Sequence, residues 1–177
     1  MKKIKILVAV LVMGLLLVKE CAVAQAAEVG VTVTSRGVTV RELSQAEIAA
    51  LSRELTTGVM GNGVSAPLAT SGSYRVYEYS ELFDITIDGT WVAQIDPVCT
   101  VWEYTDGKVH LYSRTITVTR LATYGASRTY GSIVNTDGSL SYTTGDRVHV
   151  YSLTNTWDFA IDFRVTPTEA SFNCYEV

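Results

Sequence analysis

The feature that most constrains this chain is a strict two-residue rhythm of apolar and polar side chains. Phe83, Ile85 and Ile87 alternate with Asp84, Thr86 and Asp88. Phe159, Ile161, Phe163 and Val165 alternate with Asp158, Ala160, Asp162 and Arg164. A period of two sends successive side chains to opposite faces of a strand, so each run predicts an antiparallel strand with one face buried. Composition agrees. From Ala27 onward there are 22 Thr, 18 Val and 7 Ile against 9 Leu, and β-branched side chains favour strands. Turn dipeptides fall at Asp88-Gly89, Asp106-Gly107, Asp137-Gly138 and Gly145-Asp146. Short strands at this spacing without intervening helices predict an all-β fold. The expected form is an antiparallel β-sandwich over residues 74–177, immunoglobulin-like or jelly-roll-like, with strand order left open.

The first residues carry a different signal. Lys2, Lys3 and Lys5 precede an apolar run from Ile6 to Val18, and small residues follow at Ala22, Ala24, Ala26 and Ala27. The run is too short to span a bilayer as a helix. Ala24-Gln25-Ala26 fits a signal-peptidase site, so residues 1–26 read as a signal peptide of the bacterial kind, cleaved after Ala26. Cys21 is preceded by Val18-Lys19-Glu20, which does not suit lipid attachment. The expectation is a secreted, extracellular protein with no membrane span.

Residues 27–73 read as an N-terminal arm, a short helix and a linker. Val29, Val31 and Val33, then Val38 and Val40, suggest two short strands or one extended arm around Ser35-Arg36-Gly37. Residues 44–57 predict a helix. Ser44 and Glu47 make a capping box, Leu43 and Ile48 the matching hydrophobic staple, and Ile48, Leu51 and Leu55 share a face. Gly58 stops it, and the Gly- and Ser-rich residues 58–73 form the linker.

Charge and cysteines narrow the function. After cleavage 10 basic and 17 acidic residues remain, with Lys108 the sole lysine. A net charge of −7 leaves no basic face for nucleic acid or anionic lipid. Cys99 and Cys174 are the two remaining cysteines, and in an exported chain they are expected to form a disulfide.

No catalytic set assembles. There is no Gly-x-Ser-x-Gly elbow and no phosphate-cradling glycine motif. Ser113 follows His110 by three, which on a regular strand puts them on opposite faces. Asp84 and Asp88, like Asp158 and Asp162, stand about 13 Å apart along a strand, beyond the ~5–9.5 Å of paired glycosidase carboxylates. Tyr104–Ser113 echoes Tyr142–Ser152, each reading as strand, tight turn, strand, with His110 and His149 at matched positions. If those hairpins paired, both histidines would share one sheet face, yet no further ligand stands at metal spacing. Aromatics are the remaining resource: ten Tyr, with Trp91, Trp102 and Trp157. Trp102 and Tyr104 are same-face neighbours, as are Tyr77 and Tyr79, and such rows can stack against sugar rings or proteins.

The expectation is therefore a non-catalytic binding or interaction module, with no metal and no cofactor. Its partner would be a glycan or a protein at the cell surface. The binding candidates are Trp102, Tyr104, His110 and His149. A secreted hydrolase with an acidic site across strands, or a structural cell-envelope domain, are the alternatives.

Overall fold

A computed structural model describes residues 30–56 and 73–177, with side chains in the helix given through Leu51. The predicted signal peptide and most of the predicted linker, with Gly58, lie outside the described residues. The fold is all-β. Among the described residues ten antiparallel strands make two sheets, beside one helix.

The first sheet has the order β1 (Val31–Glu42), β2 (Tyr74–Ile87), β3 (Thr90–Tyr104) and β4 (Val109–Arg120). The arm is thus a sheet strand: β1 pairs with β2 from Val31 opposite Ile87 to Glu42 opposite Tyr77. Ser35-Arg36-Gly37 does not turn the chain back. It forms a bulge, with Gly37 at φ 89° where a side chain would be strained. Residues 31–42 therefore belong with 74–177 in the sheet.

The second sheet contains β5 (Gly125–Thr129), β6 (Ser132–Asn135), β7 (Ser141–Thr144), β8 (Asp146–Tyr151), β9 (Thr156–Val165) and β10 (Ala170–Glu176). Two pairs of these are single strands interrupted once. The register that sets Gly125 opposite Tyr151 continues without slip to Asn135 opposite Ser141, so β5–β6 and β8–β7 form one hairpin. Against β9 the same strand slips by one residue at Gly145, between Tyr142 opposite Arg164 and Asp146 opposite Ile161. Gly145 has φ 79° and marks a bulge, although its sequence reads as a turn. Beyond β9, β10 closes the sheet.

Seen this way, each strand neighbours its successor throughout both sheets. A Greek-key crossover, which immunoglobulin-like and jelly-roll orders require, does not occur among the described strands. Side chains of both sheets join one core. Phe83, Ile85, Val92, Ile95 and Val101 from the first meet Val148, Val150, Phe159, Ile161 and Phe163 from the second. Tyr79 lies 5.9 Å from Phe163 across this core. Tyr77 packs beside it, so that tyrosine pair serves the interior.

Between β4 and β6 the sheets meet without strand pairing, and side chains take over the free edge of β4. Asn135 accepts from Leu111 N–H at 2.9 Å and donates to Leu111 C=O at 3.1 Å, standing in for a strand residue. Tyr130 Oη accepts from Ile116 N–H at 3.1 Å, and Arg128 donates to Ile116 C=O. Ser141 Oγ donates to Val109 C=O. An open strand edge is an aggregation hazard, and these contacts blunt it.

One ion pair bridges the sheets inside this seam. Arg114 Nε meets Asp146 Oδ2 at 2.6 Å, with the side chains 5% and 2% exposed. Gly131 completes the knot: its N–H donates to Asp146 Oδ1 and its C=O accepts from Arg114 Nη2, both at 2.7 Å. A Cβ on Gly131 would sit 1.9 Å from Thr144 C=O, so only glycine permits this approach.

The helix, α1 (Gln45–Thr56), is capped as its sequence predicts. Glu47 N–H donates to Ser44 Oγ at 3.4 Å and Ser44 N–H donates to Glu47 Oε2 at 2.8 Å. Leu43 and Ile48 are buried with Val76 in a second small core, against which Leu51 and Trp102 pack. The helix is too short to persist alone, and this contact docks it on the outer face of the first sheet. No helix among the described residues is long and apolar enough to cross a membrane.

Candidate functional site

The outer face of the first sheet carries an aromatic cluster beside α1. β2 and β3 set Tyr74 opposite Tyr104 and Val76 opposite Trp102; β3 and β4 set Trp102 opposite His110. Tyr74 stacks on Trp102, centroids 4.4 Å apart and planes 27° apart. Trp102 lies 5.4 Å from Tyr112, Tyr74 lies 6.4 Å from Tyr104, and Tyr104 meets His110 edge-on at 6.3 Å. Three of the four candidates from the sequence, Trp102, Tyr104 and His110, are thereby brought together.

Tyr74 and Tyr112 join them unforeseen. Tyr112 faces outward because β4 bulges there: Thr100 pairs with Ser113, but the next residue, Val101, pairs with Leu111. The same bulge corrects the reading of Ser113. Thr100 and Trp102 share a face of β3, so their partners Ser113 and His110 share a face as well.

Within the cluster the accessible ring is Tyr74, 41% exposed, while Tyr112 is buried. Burial raises the phenol of Tyr104, helped by Tyr74 and Asp106, and burial raises that of Tyr112. Both hydroxyls therefore stay protonated well above neutral pH and can donate hydrogen bonds. Lys108 and Asp106, paired at 2.9 Å, sit at the adjoining turn; their hydrogen bond pulls the Asp106 carboxyl below its usual value.

The indole N–H of Trp102 is buried without a hydrogen-bond partner among the described residues. An unmet buried donor costs about 1–3 kcal/mol, so native structures rarely keep one without a use. Trp91, by contrast, donates to Asp84 at 3.2 Å, and Trp157 packs in the core near Tyr124.

The fourth candidate lies elsewhere. His149 is on β8 of the second sheet, its Nδ1 2.6 Å from Asp158. The matched stretches are not repeated hairpins: Tyr104–Ser113 is strand, turn, strand, whereas Tyr142–Ser152 is one strand bulged at Gly145. The histidines thus stand on separate sheets and do not form a joint site.

The paired acids are likewise occupied. Asp84 accepts from Arg36, Gln94 and Trp91, and the Arg36 hydrogen bond is the main reason its carboxyl titrates below the usual range. Asp162 accepts from Tyr175. Among the described residues no group of three or more His, Cys, Asp or Glu is placed to hold a metal ion.

The expected Cys99–Cys174 bridge is not formed; both are free thiols. Cys99 is buried on β3 next to Arg114 and Asp146, whereas Cys174 is on β10 of the other sheet near Glu81. Burial raises both thiols, Cys174 to about 12, so neither is a ready thiolate nucleophile.

Compared with known protein families, characterised proteins and solved structures, the chain matches none.

Proposed function

We propose that this protein is a non-catalytic, exported binding module, and that its ligand docks on the aromatic cluster around Trp102. The single observation that carries the reading is the unpartnered indole N–H of a tryptophan stacked on an exposed tyrosine. A ligand with a flat apolar face and hydroxyl groups suits it. The ring face stacks on Tyr74, an oxygen meets Trp102 Nε1 as Tyr74 shifts, and the Tyr104 hydroxyl supplies a second donor. A sugar ring has this chemistry, so a glycan at the cell surface is the proposed partner. In the same reading the two sheets pack as a sandwich built from one long meander, and residues 1–26 direct the chain out of the cell before removal.

Calorimetric titration with a panel of neutral mono- and oligosaccharides tests this, with turnover followed in parallel. Tyr74→Ala is expected to weaken binding about tenfold, since ring stacking contributes roughly 0.5–1.5 kcal/mol beyond its buried area. Undiminished binding by Tyr74→Ala removes the site. Glycan hydrolysis abolished by Asp158→Asn replaces the binding module with the hydrolase reading.

A further inference from the structure

A groove lies at the end of β4 away from the aromatic cluster, where that strand and β5 run side by side without pairing. This half-open groove offers about 250 Å³ and is lined by Thr117, Val118, Arg120, Ala126, Ser127 and Arg128. One water needs about 10–15 Å³ of such space, so the groove has room for a small molecule.

Its charge is unlike that of the chain. The protein carries 18 acidic against 14 basic residues, yet Gly107 to Thr136 contains no Asp or Glu and holds Lys108, Arg114, Arg120 and Arg128. Arg114 is neutralised by Asp146, and Lys108 pairs with Asp106 at the far end of β4. Arg120 and Arg128 remain, and both line the groove. Arg128 spends one N–H on Ile116 C=O. The Arg120 side chain makes no ion pair or hydrogen bond among the described residues, while its backbone pairs with Ala93. An acid of the adjoining strand, Asp96, stands opposite Thr117. It belongs to the outer face, with Glu78 as its charged neighbour, whereas Arg120 follows the inner-face set of β4.

We infer that this groove binds the oxyanion of a small ligand between Arg120 and Arg128. A guanidinium presents paired N–H donors matched to two oxygens of a carboxylate or sulfate. Val118 and Ala126 supply a small apolar floor. The ligand is an organic acid of sugar-acid size or an inorganic oxyanion; the groove recognises the chemistry they share.

The groove is separate from the aromatic cluster, and ligands without a sugar ring keep the two apart. Glutarate, its neutral diamide and sulfate are titrated into the full chain by calorimetry at constant ionic strength. Glutarate or sulfate is expected to bind while the diamide does not, and the tighter of the two identifies the source. Arg120→Gln should raise Kd at least tenfold. Arg120→Lys, which keeps the charge but loses the fork, should also weaken binding and serves where the Gln variant fails to fold. Arg147→Gln, outside the groove lining, should leave affinity unchanged. Equal binding of glutarate and its diamide, no binding of either anion, unchanged affinity in both Arg120 variants, or an equal loss in Arg147→Gln would overturn the site.

Discussion

Replacing Asp146 by Ala removes the acceptor that holds Arg114 inside the seam between the sheets. The guanidinium has two ties there, 2.6 Å to Asp146 and 2.7 Å to Gly131 C=O, with the Tyr130 ring 5.3 Å beneath it. After the substitution the cation keeps the carbonyl and the ring but loses its counter-charge, while only 5% of its side chain reaches water. Gly131 N–H loses its acceptor too. Breaking a buried pair on one side costs about 3–5 kcal/mol. For a unit of roughly 150 residues, each kcal/mol lowers Tm by about 2–4 °C, so the drop should be about 6–20 °C. Removing both charges is different, because a well-packed apolar pair in place of a buried ion pair is often neutral. The assay is urea unfolding of wild type, Asp146→Ala, Arg114→Leu and the Arg114→Leu/Asp146→Leu double variant. The double variant should be more stable than either single one, with a coupling of at least about 2 kcal/mol. A single-variant cost below about 1 kcal/mol, or strictly additive losses, would refute the reasoning that this pair locks the sheets together.

Asn135→Ala leaves both backbone groups of Leu111 unmet at the free edge of β4. It should cost about 1–3 kcal/mol and promote association through that edge, read by urea unfolding and light scattering. Acid should loosen α1 before the sheets. Hydrogen bonds from Arg41 and then Ser44 hold the Glu47 carboxyl at about 2, below its unfolded value near 4.3. Its contribution is present above the unfolded value and lost as pH falls from about 4 through about 2, an interval followed by Trp102 fluorescence. Both thiols should be free: intact mass of the folded protein should show no loss of two hydrogens, alkylation should be slow until denaturation, and a reductant should leave Tm unchanged.

The sequence makes the repeating patterns readable and hides their interruptions. Phe83, Ile85 and Ile87, and Phe159, Ile161 and Phe163, all reach the core, because a strand with one buried face writes its period directly into the chain. The cap of α1 is equally local: Ser44 and Glu47 bind each other three residues apart. The site is less legible because bulges decide it. Counting back from the Asp88-Gly89 turn sets Tyr74 opposite Glu103. The slip between Ile85 and Thr86 sets it opposite Tyr104 instead, and so onto Trp102. A one-residue slip exchanges the faces of a strand, and no single residue type announces it. Gly145 misled in the other direction, with the composition of a turn and the role of a bulge. Arg114 and Arg120 share a face with Ile116 and Val118, which alternation alone assigns no burial; one is neutralised across the seam and the other opens onto a groove.

The aromatic site rests on one donor, and that donor can be watched. The three tryptophans give three indole N–H resonances in a 15N-labelled sample. Single-tryptophan replacements by Phe assign them, and a neutral oligosaccharide panel is then titrated in. The account predicts that a bound sugar shifts the Trp102 resonance downfield as its N–H gains an oxygen acceptor. The Trp91 and Trp157 resonances should stay in place, and Tyr74→Ala should weaken the response. A sugar that binds while the Trp102 signal stays still, or a panel in which none binds, would contradict it.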